Sequence, residues 1–278
     1  MQYNRIVAWK EKRNMHPLID CHAHLTDRAF DADRDAVISR AKEAGVSRVV
    51  IVGQDGDENE AVLAAQMEEP FFAGCLGYHP DRFADDRPPP TGEALERVIG
   101  QIRRSAGEIV AIGEVGLDRW VCRDDARREA QHDALARLVD LAAELDLPLN
   151  LHSRSAGRRT IDLLLQKGAR RVLMHAYDGK AGHALRGVEA GFVFSIPPSI
   201  VRSPQKRKLV RALPLEALAL ESDSPVLGPE RGERNEPANL TLTVAAIAEI
   251  KGVRPEEVER VTTHNALRLF ALHEFRSD

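Results

Sequence analysis

Eight short apolar runs, separated by longer amphipathic stretches, set the terms on which this chain can fold. They are LIDC (18–21), RVVIV (48–52), FFAGCLG (71–77), IVAIGEVG (109–116), PLNLH (148–152), RVLMHA (171–176), FVFSI (192–196) and LALES (218–222). Their hydrophobicity is continuous rather than alternating, so the strands they form need cover on both faces, the condition of a parallel sheet. The stretches between them are long enough for the crossover helices that parallel strands require. The clearest helix surrounds Leu135, Leu138, Leu141, Ala142 and Leu145, at spacings of three and four, and is stopped by Pro148. Further helices are predicted over 32–44, 57–68, 92–105, 156–167, 181–190, 204–212 and 238–251, with a final pair across 255–272. Eight strand–helix alternations in about 260 residues have the length of a (β/α)8 TIM barrel, the rival being a doubly wound open sheet. The one Pro-rich break, DDRPPPTG (85–92), reads as a loop before a helix. Residues 17–278 are therefore expected to form a single domain behind an N-terminal extension, 1–16.

Composition narrows the function classes. With 43% hydrophobic residues in 278, the chain can bury a full core, which excludes disordered, collagen-like and disulfide-stapled classes. No run of about 18 uncharged apolar residues occurs, and the opening segment lacks the apolar core of a signal peptide. A soluble, cytoplasmic protein without a membrane partner is expected, and no protein partner can be inferred. Cys21, Cys75 and Cys122 are far apart and show no C-x-x-C spacing, which fits a reducing compartment and argues against a thiolate metal site. With Lys+Arg 39 against Asp+Glu 43, the molecule as a whole does not attract polyanions, so a nucleic acid would have to meet a local basic rim.

In a parallel barrel the active face lies beyond the C-terminal strand ends, and here those ends carry the wrong residues for a core. The first run leads into Asp20-Cys21-His22-Ala23-His24, where a spacing of two in an extended segment puts both imidazoles on one side. The fourth ends in Glu114, the fifth in His152, the sixth in His175 and the eighth in Asp223. One such residue is an ordinary buried histidine or capping aspartate. Five strands finishing this way are different, because buried ionisable groups are costly unless paired or bound to metal. Four imidazoles and two carboxylates exceed the needs of one tetrahedral ion, and a carboxylate can bridge two. His22, His24 and Asp223 are assigned to one divalent ion and His152 and His175 to a second, with Glu114 bridging. Imidazole and carboxylate ligands suit Zn, Mn, Mg, Fe, Co or Ni without choosing among them. His132 and His183 fall in predicted helices, and His16, His264 and His273 lie off the strands; all five are expected to face solvent or pack.

The same residues spell out a family. D-C-H-A-H-L, G-Y-H-P (77–80), A-I-G-E-V-G-L-D (111–118), L-H-S-R (151–154), E-S-D-S-P (221–225), R-N-E-P (234–237) and T-x-N-A (263–266), in this order, resemble the TatD-type metal-dependent deoxyribonucleases. S-R-S-A-G-R (153–158), H-A-Y-D-G (175–179) and S-I-P-P-S-I (195–200) are similar to the branch of TatD-domain-containing protein 3, and depart from the H-C-F-S-G and S-F-S-G of more typical members. The resemblance implies a TIM barrel of the amidohydrolase kind and phosphodiester hydrolysis in DNA. It puts the family's ligands on His22, His24, Glu114, His152, His175 and Asp223, and turns His79 and Arg154 toward the scissile phosphate.

On this reading the metals generate hydroxide near neutral pH, Asp223 accepts the proton, Arg154 supplies a planar fork to phosphate oxygens, and His79 donates to the substrate or leaving oxygen. Arg103-Arg104, Arg127-Arg128, Arg158-Arg159, Arg170-Arg171 and Lys206-Arg207-Lys208 are expected to be mostly solvated helix faces, with Arg158-Arg159 on the active rim the exception. Glu129, Gln131, Asn235 and Glu236 are expected to fix loops or ligands. A C–N hydrolase could use a similar shell, but the fourth run offers Glu114 and no bridging lysine; a metal-storing scaffold would have no use for a complete water-activating shell. Because residues 1–14 carry no pattern and Met15 is an alternative start, a chain beginning at Met15 should match the full chain in melting temperature and turnover. A marked loss of either would mean that the segment docks on the barrel.

Overall fold

The computed structural model describes residues 16–272; residues 1–15, Met15 among them, and His273 lie outside the described residues. Eight strands run β1 (Leu18–Ala23), β2 (Val46–Val52), β3 (Phe72–Tyr78), β4 (Ala111–Gly116), β5 (Leu149–His152), β6 (Val172–Met174), β7 (Val193–Ile196) and β8 (Leu218–Leu220). They pair in parallel in chain order, each with the next, which is the TIM barrel rather than the open sheet. The seam between β1 and β8 is bridged just past the strand ends: Asp223 N–H donates to His22 O at 2.9 Å and His24 N–H to Ser224 O at 2.8 Å. The barrel thus closes through the backbone of residues assigned as ligands.

Helices follow the strands as α1 (Arg34–Glu43), α2 (Gly56–Glu68), α3 (Gly92–Arg104), α4 (Asp125–Leu145), α5 (Gly157–Gln166), α6 (Ala181–Glu189), α7 (Pro204–Ala212) and α8 (Leu240–Lys251). The expected final pair is instead one helix, α9 (Pro255–Phe270). Its periodicity is unbroken because buried Val258, Val261, Thr262, Ala266 and Leu269 keep helical spacing through the whole segment. It also has a specific place. Ala266, Leu269 and Phe270 pack on the small apolar residues of the barrel interior, Ile19, Cys21, Val50, Cys75 and Ala111 among them. Asn265 donates to the Leu215 and Leu218 carbonyls, and Thr263 to that of Pro17. These carbonyls lie before or at the starts of β1 and β8, so α9 plugs the N-terminal mouth and leaves the C-terminal mouth open.

Two bulges aim the polar residues. Between β1 and β2, Asp20 pairs with Val49 but Ala23 with Ile51, so β1 carries one extra residue there. The alternation that buries Ile19 and Cys21 inside the barrel is reset, and Ala23 joins the outer core. Strand β4 carries a second extra residue between Ile112 and Val115, against both β3 and β5, and Glu114 sits on it. At that point Gly77 of β3 lies so close to β4 that an added Cβ would stand 2.3 Å from Glu114 O and 2.4 Å from Glu114 N. Buried Asn59 of α2 takes over the displaced pairing, accepting from Gly77 N–H and donating to Gly77 O. Gly77→Ala should therefore cost about 1–3 kcal/mol by overpacking and lower metal content together with melting temperature. Gly107→Ala, with nothing within 4 Å of its added carbon, should leave both unchanged; equal behaviour of the two variants would contradict the close approach.

Candidate metal centre

Asn150, a buried polar residue inside apolar β5, fixes the first ligand. Its Nδ2 donates to Cys21 O at 3.0 Å, which turns Oδ1 toward His22 Nδ1 at 2.8 Å. His22 Nδ1 must then carry the proton, and Nε2 is left with a bare lone pair. That atom lies 3.3 Å from His24 Nε2. Glu114 Oε2 is 3.5 Å from His22 Nε2 and 3.4 Å from His24 Nε2, and Asp223 Oδ1 is 3.7 and 3.6 Å from the same two atoms.

The other oxygen of Glu114 faces a second set. Oε1 is 2.8 Å from His152 Nδ1, 3.0 Å from His175 Nε2 and 3.1 Å from His79 Nε2. His152 Nε2 donates to Asp118 Oδ2 at 3.1 Å, which leaves Nδ1 as a bare lone pair. His175 stands between the sets, stacked on His22 with ring centroids 3.8 Å apart, and its Nδ1 lies 3.4 Å from Glu221 Oε2. Ala176 and Asp223 adopt left-handed conformations, φ 40° and 52°, as occurs where a site over-determines its backbone.

Burial opposes a charge on Glu114, yet the imidazoles of His79, His175 and His22 hold its carboxyl well below the usual range. Asp223 is likewise held low against its burial, by the hydrogen bond from His24 and the neighbouring imidazoles. Burial pulls His22 down, reinforced by His175. Burial also works against a charged His79, but Glu114 and Asp81 outweigh it and push the ring up to about 10. The set as a whole is two buried anions ringed by imidazole nitrogens, and Glu114 Oε2 has no hydrogen-bond partner. Three groups of these donors, His22 with His24 and Glu114, His22 with His175 and Asp223, and His79 with Glu114 and His152, have ligand atoms within 4.8 Å of one another. This chemistry fits divalent cations, and all six expected ligands converge. His79 converges too, which its expected place beside the phosphate did not foresee.

Arg154 stands apart, exposed on the rim with its guanidinium 5.1 Å from the Trp120 ring centroid. Gln131 accepts from Asp118 N–H and donates to Pro80 O, tying β3 to β4, and Asn235 holds the loop after β8 through the Ser222 and Val226 carbonyls. Glu236 binds Arg40 of α1 through both oxygens. Glu129 is exposed and fixes nothing. Several of the basic pairs are taken up in ion pairs, Arg103 with Glu144, Arg171 with Asp146 and Arg207 with Glu249. Asn150, Asp118 and Glu221 went unassigned in the sequence; a polar residue within or next to an apolar run was the available signal.

The TatD related DNase family model matches residues 19–271. Deoxyribonuclease TATDN3 of Homo sapiens is 46% identical over 259 residues, 91% of this chain and 94% of that protein. The uncharacterized metal-dependent hydrolase YabD of Bacillus subtilis is 33% identical, covering 92% of this chain and all of its own length. The crystal structure of YJJV, a TatD homolog from Escherichia coli, superposes with a TM-score of 0.84 at 27% identity, over 92% of this chain and 98% of that one. No helix among the described residues is long and apolar enough to cross a membrane. Because Glu114 faces both donor sets, Glu114→Ala should lower total bound metal far more than Arg154→Ala, which should bind normally. Equal metal content in the two purified variants would remove Glu114 from the bridging position.

Proposed function

The chain belongs to the TatD related DNase family, and from that premise we propose that it is a divalent-metal-dependent hydrolase that cleaves phosphodiester bonds in DNA, with a single catalytic domain over 17–278. The observation that carries this reading is the division of Glu114, one oxygen toward His22 and His24 and the other toward His152 and His175, the arrangement a two-ion phosphodiesterase centre needs. His22, His24 and Asp223 would hold one ion, His152 and His175 the other, and Glu114 would serve both. Zinc suits these nitrogen and oxygen donors, as do Mn, Mg, Fe, Co and Ni. The free, buried cysteines accord with a cytoplasmic setting. A hydrolase of C–N bonds is not favoured, since β4 presents Glu114 where a bridging lysine is expected.

Bound divalent ions supply Lewis acidity toward a phosphate oxygen and lower the pKa of an attacking water toward about 7. The chain's own side chains do the rest. Asp223, anionic at neutral pH and turned toward the site by its left-handed backbone, orients the water and accepts its proton at a carboxylate oxygen. Arg154 reaches from the rim with a planar fork that matches two phosphate oxygens and offsets the charge that develops on them. His79, pushed up to about 10 against its burial by Glu114 and Asp81, carries a proton at Nε2, from which it can pass to the leaving oxygen. Asp118 and Asn150 hold their imidazoles in the tautomers that this division of labour requires.

Asparagine keeps the size of Asp223 and one coordinating oxygen but cannot take a proton. Asp223→Asn should retain most of its metal while losing activity by roughly 100- to 10,000-fold. Arg154→Lys keeps the charge but loses the fork, so KM should rise more than kcat falls. Metal content, kcat and KM on single-stranded and duplex DNA decide both points; full turnover of metal-loaded Asp223→Asn would move the proton acceptor to another residue.

A further inference from the structure

The mechanism above uses no indole, yet the rim of the site presents one. Trp120 is 56% exposed, and it is the one aromatic among the large exposed hydrophobic side chains of the described residues. Its backbone is held firmly. Trp120 N–H and Val121 N–H both donate to Asp118 Oδ1, at 2.7 and 3.1 Å, Arg119 N–H donates to Arg154 O at 3.0 Å, and Asp85 N–H donates to Val121 O. A turn fixed on several sides thus carries an aromatic ring into solvent, a cost that nothing in the packing of the barrel repays.

The ring's anchor is also the site's anchor. Asp118 holds Trp120 with one oxygen and His152 Nε2 with the other. Trp120 lies two residues past Asp118 after β4, and Arg154 lies two residues past His152 at the end of β5. Across this gap the guanidinium of Arg154 rests over the indole at 5.1 Å from its centroid. Stacked there, Arg154 leaves its N–H edges free for phosphate oxygens, and Trp120 remains more than half exposed beside it. Beyond Arg154, the rim continues into a cleft of about 350 Å³ whose lining includes Arg158, Arg159 and Lys180 against one carboxylate, Asp178, a net cationic path for a sugar–phosphate backbone.

We propose that Trp120 is a nucleobase-stacking platform, which binds one unpaired base of the strand while Arg154 beside it takes an adjoining phosphate. The proposal rests on the nuclease reading and deepens it by naming the form of substrate. Bases inside a duplex have both faces covered by their neighbours, so only an unstacked base can lie on the indole; the site thereby prefers single strands or frayed ends. Stacking of this kind is tolerant of base identity, because every base has a π-face.

The test uses Trp9→Phe protein, in which Trp120 is the sole tryptophan. A single-stranded oligothymidylate of about eight nucleotides is titrated in chelator, so that no strand is cut, against an abasic oligomer of the same length and charge. Indole emission reports stacking and the anisotropy of an end-labelled strand reports binding. Oligothymidylate should quench the emission and the abasic strand should not. Trp120→Ala should weaken oligothymidylate binding by roughly 5- to 150-fold without changing abasic binding, and Trp120→Phe should restore most of it. With metal restored, Trp120→Ala should raise KM on single strands and leave KM on blunt duplex unchanged. If oligothymidylate binds with emission unchanged and Trp120→Ala binds it equally well, the platform is wrong and the nuclease reading stands. Equal losses for the thymidine and abasic strands would also overturn it, since the indole would then act on the backbone or on protein structure. If neither strand binds and no DNA is cut with metal restored, the nuclease reading itself fails and takes this proposal with it.

Discussion

Two imidazoles, His22 and His152, whose bare nitrogens are turned toward the carboxylate of Glu114 in a buried pocket, are the constraint on which this structure turns. His152 Nδ1 and Glu114 Oε1 are 2.8 Å apart, and Asp118 has already claimed the ring proton on the far side. Asn150 imposes the same condition on His22. In water such groups would turn away or protonate. Here they are held by strand backbones, and a cation is the species that converts their mutual repulsion into ligation. The residues that enforce the tautomers are therefore as much part of the centre as the residues that face it.

The barrel makes this arrangement possible by departing from its own regularity at a few places. Strict alternation would continue the inward line of Ile19 and Cys21, and the extra residue in β1 interrupts it. The bulge in β4 brings Glu114 toward the axis, with Gly77 giving way and Asn59 satisfying the backbone left over. Closing the seam through His22, Asp223, His24 and Ser224 then ties the ligands of β1 to the loop after β8. At the opposite mouth, α9 removes water from the interior. Stability is thus concentrated below and around the site, while the donors sit above it with unfavourable contacts of their own.

Most of the architecture was legible because its signal is local. Continuous apolar runs mark parallel strands, and a His or carboxylate at the end of a run marks the open mouth, so the barrel and the convergence of six candidate ligands could be read directly. The strand boundaries were less so: β6 stops at Met174 and β8 at Leu220, short of the ends of the runs RVLMHA and LALES, because where the ladder pairing ends is set by the neighbouring strands. The single helix α9 reads as a pair in sequence because its long span includes polar Thr263 and Asn265, whose partners are distant carbonyls. Asn150 and Asp118 escaped for the same reason. Their roles are set by contacts to Cys21 and His152 across the barrel, and no spacing along the chain encodes those. Bulges, likewise, are a property of paired strands rather than of either strand alone.

If cations relieve this cluster and hydrolysis depends on them, metal content, thermal stability and DNA cleavage should move together. The direct measurement is to strip the purified protein with a strong chelator, verify the metal content, and follow melting temperature and cleavage of single-stranded and duplex DNA as one divalent ion at a time is returned. Stripped protein should be inactive and should melt lower, because an ion that binds only the native state stabilises it, and both losses should reverse with the ion. Full turnover by protein verified to be metal-free, or a melting temperature indifferent to stripping and return, would contradict the account.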